Sequence, residues 1–226
     1  MNQTKRSPAM TPASRFLPEV LRFSVMLDAI EGFILVGGKS RRMGTDKSRL
    51  VLNDQTFVER IARELSAVAS SVRVVGDNTA ELKLPINIQI APDVYPEWGA
   101  LGGVHAALTA CSATWALVVA CDFPFVTSEL FRSLSRGREA FEAVAPIQAD
   151  GIPQPLCSLY RVGPCLRLAE QLIKSGERKP IALLQSVRTR WVLFSELSRL
   201  EGADCFLDNI NTPEDFARVS GKGSEH

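Results

Sequence analysis

A chain of 226 residues is long enough for one large or two small domains. Its 46% hydrophobic and 23% charged content is ordinary for a soluble globular protein. A formal net charge of +1 supplies no global drive toward nucleic acid or membrane. With only two histidines, one of them the last residue, a multi-histidine metal site is excluded, and a Ser-His-Asp triad would have to rely on His105 alone.

In chain order, residues 1–29 carry basic residues but no apolar core of signal-peptide length, which predicts a partly disordered extension outside the domain. Residues 30–220 are expected to form a single domain, followed by a frayed tail, 221–226. GFILVGG, residues 32–38, is a short apolar run closed by glycines and suits a strand buried on both faces. TFVERIARELSAVA places Val58, Ile61, Leu65 and Val68 at helical spacing, with Thr56 as N-cap. SVRVVG and INIQIAPD predict two further strands. LGGVHAALTAC predicts a helix opening on a Gly-rich turn, and TWALVVACD a strongly buried strand. TSELFRSLSRG predicts a helix capped by Thr127 and stopped at Gly137.

The second half is less regular. EAVAPIQADGIPQPLCSLYR reads as two strands joined around Asp150-Gly151, followed by a helix over Val162–Lys174. PIALLQSV comes next, then a strand at TRWVLF. A last helix begins in TPEDFARV, with Thr212 as N-cap and Pro213 at its first position. Alternating strands and helices imply an α/β fold with a mostly parallel sheet covered on both faces. In such sheets ligands bind beyond the carboxyl ends of the strands, where the glycine loop, Asp93 and Asp122 are expected to converge.

No apolar run approaches the roughly 18 residues of a membrane-spanning helix. The five cysteines form no CxxC pair and are expected to be reduced core residues of a cytoplasmic protein.

LVGGKSRRMGTDK, residues 35–47, concentrates glycine and positive charge at the end of a predicted strand. A P-loop is ruled out: Gly38 stands where its lysine is required, and Phe33–Val36 belong to the strand. The GxGxxG spacing is absent. The stretch is instead a loop that could wrap a triphosphate, or a basic surface loop around a glycine turn. In the first case Gly37 and Gly38 let backbone N–H groups approach phosphate oxygens, and Arg41, Arg42 and Lys47 bring charge.

The same stretch resembles the signature LxGGxSxRMGxDK of nucleotidyltransferases with a Rossmann-like fold. Within that group it is most similar to the molybdenum cofactor guanylyltransferases. PEWGALGGVHAAL resembles their GPLAG segment, ACDFPFV their CDxPF segment, SGERKP a GERR-like stretch and NINTPEDF their NxNTPEDL, so the likeness covers about residues 32 to 219. Ala100 departs from the family's usual proline, and Gly76, with Asn78 nearby, stands where the family tends to use asparagine.

The resemblance implies a three-layer Rossmann-like nucleotidyltransferase fold. It also implies transfer of GMP from GTP to the terminal phosphate of molybdopterin, with release of pyrophosphate. Joining two anions demands neutralisation and alignment more than a strong base, so the scarcity of histidine is no obstacle. The implied catalytic residues are Lys47, Arg42 and Asp122. The implied nucleotide contacts are Leu35, Val36, Gly37, Gly38, Lys47, Asp93 and Asp122, with Asp122 the ligand of Mg²⁺. A strand-end aspartate is also a common turn former or helix cap, and Asp93 equally suits a turn before YPEWG. Gly99, Gly102 and Gly103 suit close approach to a ligand, while His105 suits a structural role. Asn209 and Asn211 could face the metal or the acceptor, and Arg178 and Lys179 the acceptor's phosphate; turn formation and a solvated basic turn explain them as well.

The substrates implied are GTP and molybdopterin, with room for transient contact with proteins that deliver or accept the cofactor, and with neither nucleic acid nor membrane as partner. The alternatives are a cytidylyltransferase acting on molybdopterin or a sugar-like phosphate, and a nucleotide-binding regulator without turnover.

Overall fold

The structure, a computed structural model, describes residues 29–37, 50–52, 54–76, 84, 88–96, 98–210 and 215. The core strand β1 (Ile30–Leu35) has parallel neighbours on both sides, β4 (Val72–Val75) and β6 (Trp115–Ala120). Beyond β4 lies β5 (Gln89–Ala91), also parallel. Beyond β6 lies β8 (Cys157–Arg161), the antiparallel strand, then β7 (Ala143–Pro146) and β9 (Thr189–Val192). The seven-stranded order is β5-β4-β1-β6-β8-β7-β9, and β2 (Val51–Leu52) with β3 (Gln55–Thr56) forms a separate two-stranded ribbon.

Side chains of β6 alternate between two cores. Trp115, Leu117 and Val119 face the layer containing α1 (Phe57–Ser66) and α3 (Ser128–Ser135). Ala116 and Val118 face the layer of α2 (Ala100–Ala110), α4 (Val162–Lys174) and α5 (Pro180–Ser186). A strand buried on both faces must be apolar throughout, and all six residues of β6 are buried. The result is an α/β three-layer Rossmann-like fold with a mostly parallel sheet, as expected.

Local signals held closely. Thr56 caps α1 through a complete capping box with Glu59, and Thr127 caps α3 by accepting from Leu130 N–H at 3.2 Å. The helix at Val162–Lys174 has the predicted bounds. PIALLQSV resolves into a helix, α5, with Pro180 in its first turn. The strand at TRWVLF is shorter than its hydrophobic run, because Phe194 begins the single-turn helix α6 (Phe194–Leu197). The expected last helix falls, apart from Asp215, outside the described residues.

The five cysteines, all of them described, form no disulfide. Burial pushes the thiols of Cys157 and Cys165 up to about 12, so both behave as inert packing groups. Among the described residues no helix is long and apolar enough to cross a membrane.

Candidate active site

On leaving β1 the chain moves outward to β4 and β5; it then returns to β6, on the other side of β1. The carboxyl ends of β1 and β6 therefore flank a topological switch point, where an open parallel sheet has a crevice. Leu35 and Ala120 are register partners, and Cys121 N–H donates to Leu35 O at 3.0 Å. Asp122 is thus held one residue beyond the point where the two strands part.

The β1 exit is built by close backbone approach. Val36 N–H donates to Val75 O at 2.9 Å, and Gly37 takes a φ of +100°, which L side chains rarely adopt. Gly76 has a φ of +152°, and a Cβ there would come within 2.2 Å of Val36 O. Asparagine, the usual residue of the resembled family at this position, cannot enter this backbone without displacing Val36. The glycine is what lets β4 turn away beside the β1 exit. Leu35 is half-buried and Val36 buried.

Asp93 follows β5 at the same edge of the sheet. Its Oδ1 accepts from Tyr95 N–H at 3.0 Å, so the carboxylate shapes the turn into the second glycine-rich segment. In that segment Gly99 has a φ of +75° and opens α2. A Cβ on Gly103 would lie 3.2 Å from Leu35 Cδ1, so the first turn of α2 packs directly against the end of β1.

The Asp122 side of the crevice is closed by two other segments. Ile210 N–H donates to Asp122 O at 3.0 Å, which seats Asn209 beside the aspartate. Oδ1 of Asp122 is buried, and so is Oδ1 of Asn209, which has no hydrogen-bond partner among the described residues. Ala120 N–H donates to Leu156 O at 2.8 Å, bringing the β7–β8 connection to the same edge. Two buried amide and carboxyl oxygens on adjoining segments suit a hard cation that keeps several waters. No cluster of three or more His, Cys, Asp or Glu able to hold a metal occurs among the described residues.

Sequence reasoning thus placed Leu35, Val36, Gly37, Asp93 and Asp122 at one edge of the sheet, and the structure brings them there. Gly38, Arg41, Arg42, Lys47 and Asn211 lie outside the described residues. His105 is 2% exposed within α2, edge-on to Tyr95 and with Nε2 3.7 Å from Glu170 Oε1, a structural placement as expected. Burial lowers its pKa, against the opposing pull of Glu170.

Two features were missed. Arg60 of α1 donates from Nε to Pro124 O at 3.4 Å, and Glu64 Oε2 accepts from Ser128 N–H at 2.9 Å, fastening α1 to the segment after Asp122. Across the sheet, Trp98 meets a turn 79 residues further along the chain. The i,i+4 spacing of Arg60 and Glu64 was visible, but their partners were not.

The family model for the MobA-like NTP transferase domain matches residues 32–190. A probable molybdenum cofactor guanylyltransferase of Pelotomaculum thermopropionicum is 33% identical over 195 residues, 85% of this chain and 94% of that protein. One from Opitutus terrae is 34% identical over 207 residues, 88% of this chain and 98% of that protein. Among solved structures, molybdopterin-guanine dinucleotide biosynthesis protein A from Archaeoglobus fulgidus has a similar fold. Its TM-score is 0.73 at 24% identity, covering 87% of this chain and all 100% of that one.

Proposed function

The chain belongs to the MobA-like NTP transferase family and is a nucleotidyltransferase acting on a phosphate-bearing substrate; from that premise we propose that it transfers GMP from GTP to the terminal phosphate of molybdopterin. An acceptor phosphate oxygen attacks the α-phosphorus of GTP. The new P–O bond forms as the bond to the β-phosphate breaks, and pyrophosphate leaves with the electron pair. Attacking and leaving groups are both anions, so the protein's task is to align and neutralise them.

Leu35, Val36, Gly37 and Gly38 would meet the nucleotide at the β1 exit with backbone groups, and Asp93 would border it from the β5 side. Lys47 and Arg42 would neutralise the triphosphate, Lys47 as a compact charge and Arg42 as a fork. Asp122, with Asn209 beside it, would hold Mg²⁺. When bound, that ion supplies charge neutralisation across neighbouring phosphate oxygens. Arg178 and Lys179, at the rim of the α2–α4 layer, would face the acceptor's phosphate.

The observation that most supports this reading is the backbone bond from Cys121 to Leu35, which sets Asp122 against the glycine turn at the switch point. Pyrophosphate release should be measured across the four ribonucleotides with molybdopterin and Mg²⁺. Release with GTP is expected. Release with CTP alone would make the protein a cytidylyltransferase, and binding without release would make it a regulator.

A further inference from the structure

The second glycine-rich segment and the turn between α4 and α5 are joined through Trp98. Its Nε1–H donates to Glu177 O at 2.9 Å, and the Arg178 guanidinium carbon lies 4.6 Å from the indole centroid. Leu101 N–H, in the first turn of α2 where donors lack partners within the helix, donates to Arg178 O at 3.3 Å. Trp98 is seated tightly, since a Cβ on Gly102 would fall 2.9 Å from Trp98 Cβ.

The turn that Trp98 grips is stiff. Gly176, at a φ of +92°, ends α4, and Glu177 N–H donates back to Leu172 O at 2.9 Å. The Glu177 carboxylate accepts from the N–H groups of Lys179 and Arg178, each at 2.8 Å. Topology brings this turn to the site. The antiparallel β8 ends at the far edge of the sheet, and α4 travels back to the edge where Asp122 stands. The first turn of α2 then lies between Leu35 on one side and Arg178 on the other.

An exposed arginine loses rotamer freedom when it clamps a phosphate. A guanidinium already resting on an indole face has given up part of that freedom beforehand. We infer that Trp98 is a positioning residue: it locks Arg178 to the loop that opens α2, so that the cation and the glycine loop form one wall for a phosphate-bearing acceptor. This inference rests on the nucleotidyltransferase reading above and extends it to a side chain that contacts no reacting atom.

The test compares Trp98→Leu, which loses both the stack and the Nε1–H bond, with Trp98→Phe, which keeps an aromatic face. In steady-state assays with GTP and molybdopterin, Trp98→Leu should raise the KM for the acceptor roughly tenfold, with kcat and the KM for GTP changed less than about twofold. Trp98→Phe should recover most of that loss. In an Arg178→Ala background the Trp98→Leu effect should largely vanish. An unchanged acceptor KM, a loss carried by kcat, a Phe variant no better than Leu, or full additivity with Arg178→Ala would each overturn the assignment.

Amide hydrogen exchange supplies a readout that needs no turnover. Trp98→Leu should speed exchange in residues 99–103 and 176–179 together, and leave the β1 and β6 amides protected. Faster exchange confined to one of the two segments would overturn the coupling. If the wild-type protein transferred no nucleotide at all, the functional reading would fail, and the exchange result would still decide whether Trp98 couples the two segments.

Discussion

The two walls of the crevice are built on different terms. On the α1–α3 side, helix α1 is amphipathic: Phe57, Val58, Ile61, Ala62 and Leu65 are buried, while Arg63 and Glu64 pair toward solvent. Its N-terminus is held by its own capping box, and its polar flank reaches the segment after Asp122 through Arg60 and Glu64. On the α2–α4 side, helix α2 is apolar nearly all round. It is buried between sheet and α4, and it opens on Gly99 with no side-chain cap. Its entry loop takes its position from Trp98 and a distant turn. Both walls use contacts between distant segments, but α1 fixes its own start through its capping box, whereas the start of α2 depends on remote contacts and can be loosened without unfolding the sheet.

The largest effect is expected at Asp122, where the two walls meet. Asp122→Ala should lower pyrophosphate release by about a hundredfold or more, with far-UV circular dichroism unchanged. Lys47→Ala should do the same. Wild-type rates in either folded variant would remove that residue from the mechanism.

A smaller effect is expected at the β1 exit. Gly76→Ala combines a φ of +152° with a Cβ 2.2 Å from Val36 O, so it should cost about 2 kcal/mol or more in urea unfolding and also raise the KM for GTP. Full stability in that variant would mean the Val36–Gly37 backbone yields easily, contrary to a rigid β1 exit. On the α1–α3 side, Thr56→Ala removes the cap of α1 and should cost about 1 kcal/mol with little change in acceptor KM. A large rise in that KM would show that the two walls are not independent.

The smallest effect is a pH dependence on the α2–α4 side. Burial holds the pKa of His105 below its ordinary 6.5. As pH falls through that ordinary value, the unfolded chain takes up a proton that folded His105 resists, so its contribution to stability is present above about 6.5 and fades on acidification. The loss in urea stability between about pH 7.5 and 5.5 should therefore be greater in the wild type than in His105→Gln. A greater loss in the variant would mean that the Glu170 carboxylate outweighs burial.

Much of the site's framework was legible. GFILVGG and TWALVVACD announced the two strands that flank the crevice, because a strand covered on both faces leaves no polar positions. Thr56 and Thr127 announced helix starts, because capping involves residues three apart. The aspartate of ALVVACD was visible as a strand-end carboxylate; its neighbour Asn209 lies 87 positions on, and only the family resemblance, not a local pattern, offered it to the same metal. The turn at Asp150-Gly151 announced that β7 and β8 run antiparallel, but the insertion of β8 between β6 and β7 was invisible, since a turn fixes strand direction and not strand order.

Residue pattern alone announced most of the elements and the covered faces of the sheet, but not the β2–β3 ribbon, the helix at Pro180–Ser186 or the turn of helix at Phe194–Leu197. The announced features depend on periodicity and capping, which act within a few residues along the chain. Which exits adjoin, which backbone bonds to Asp122 and which turn grips Trp98 came from the packed fold. Each of those depends on strand order and on backbone hydrogen bonds between residues far apart in the chain, whose formation no local propensity encodes.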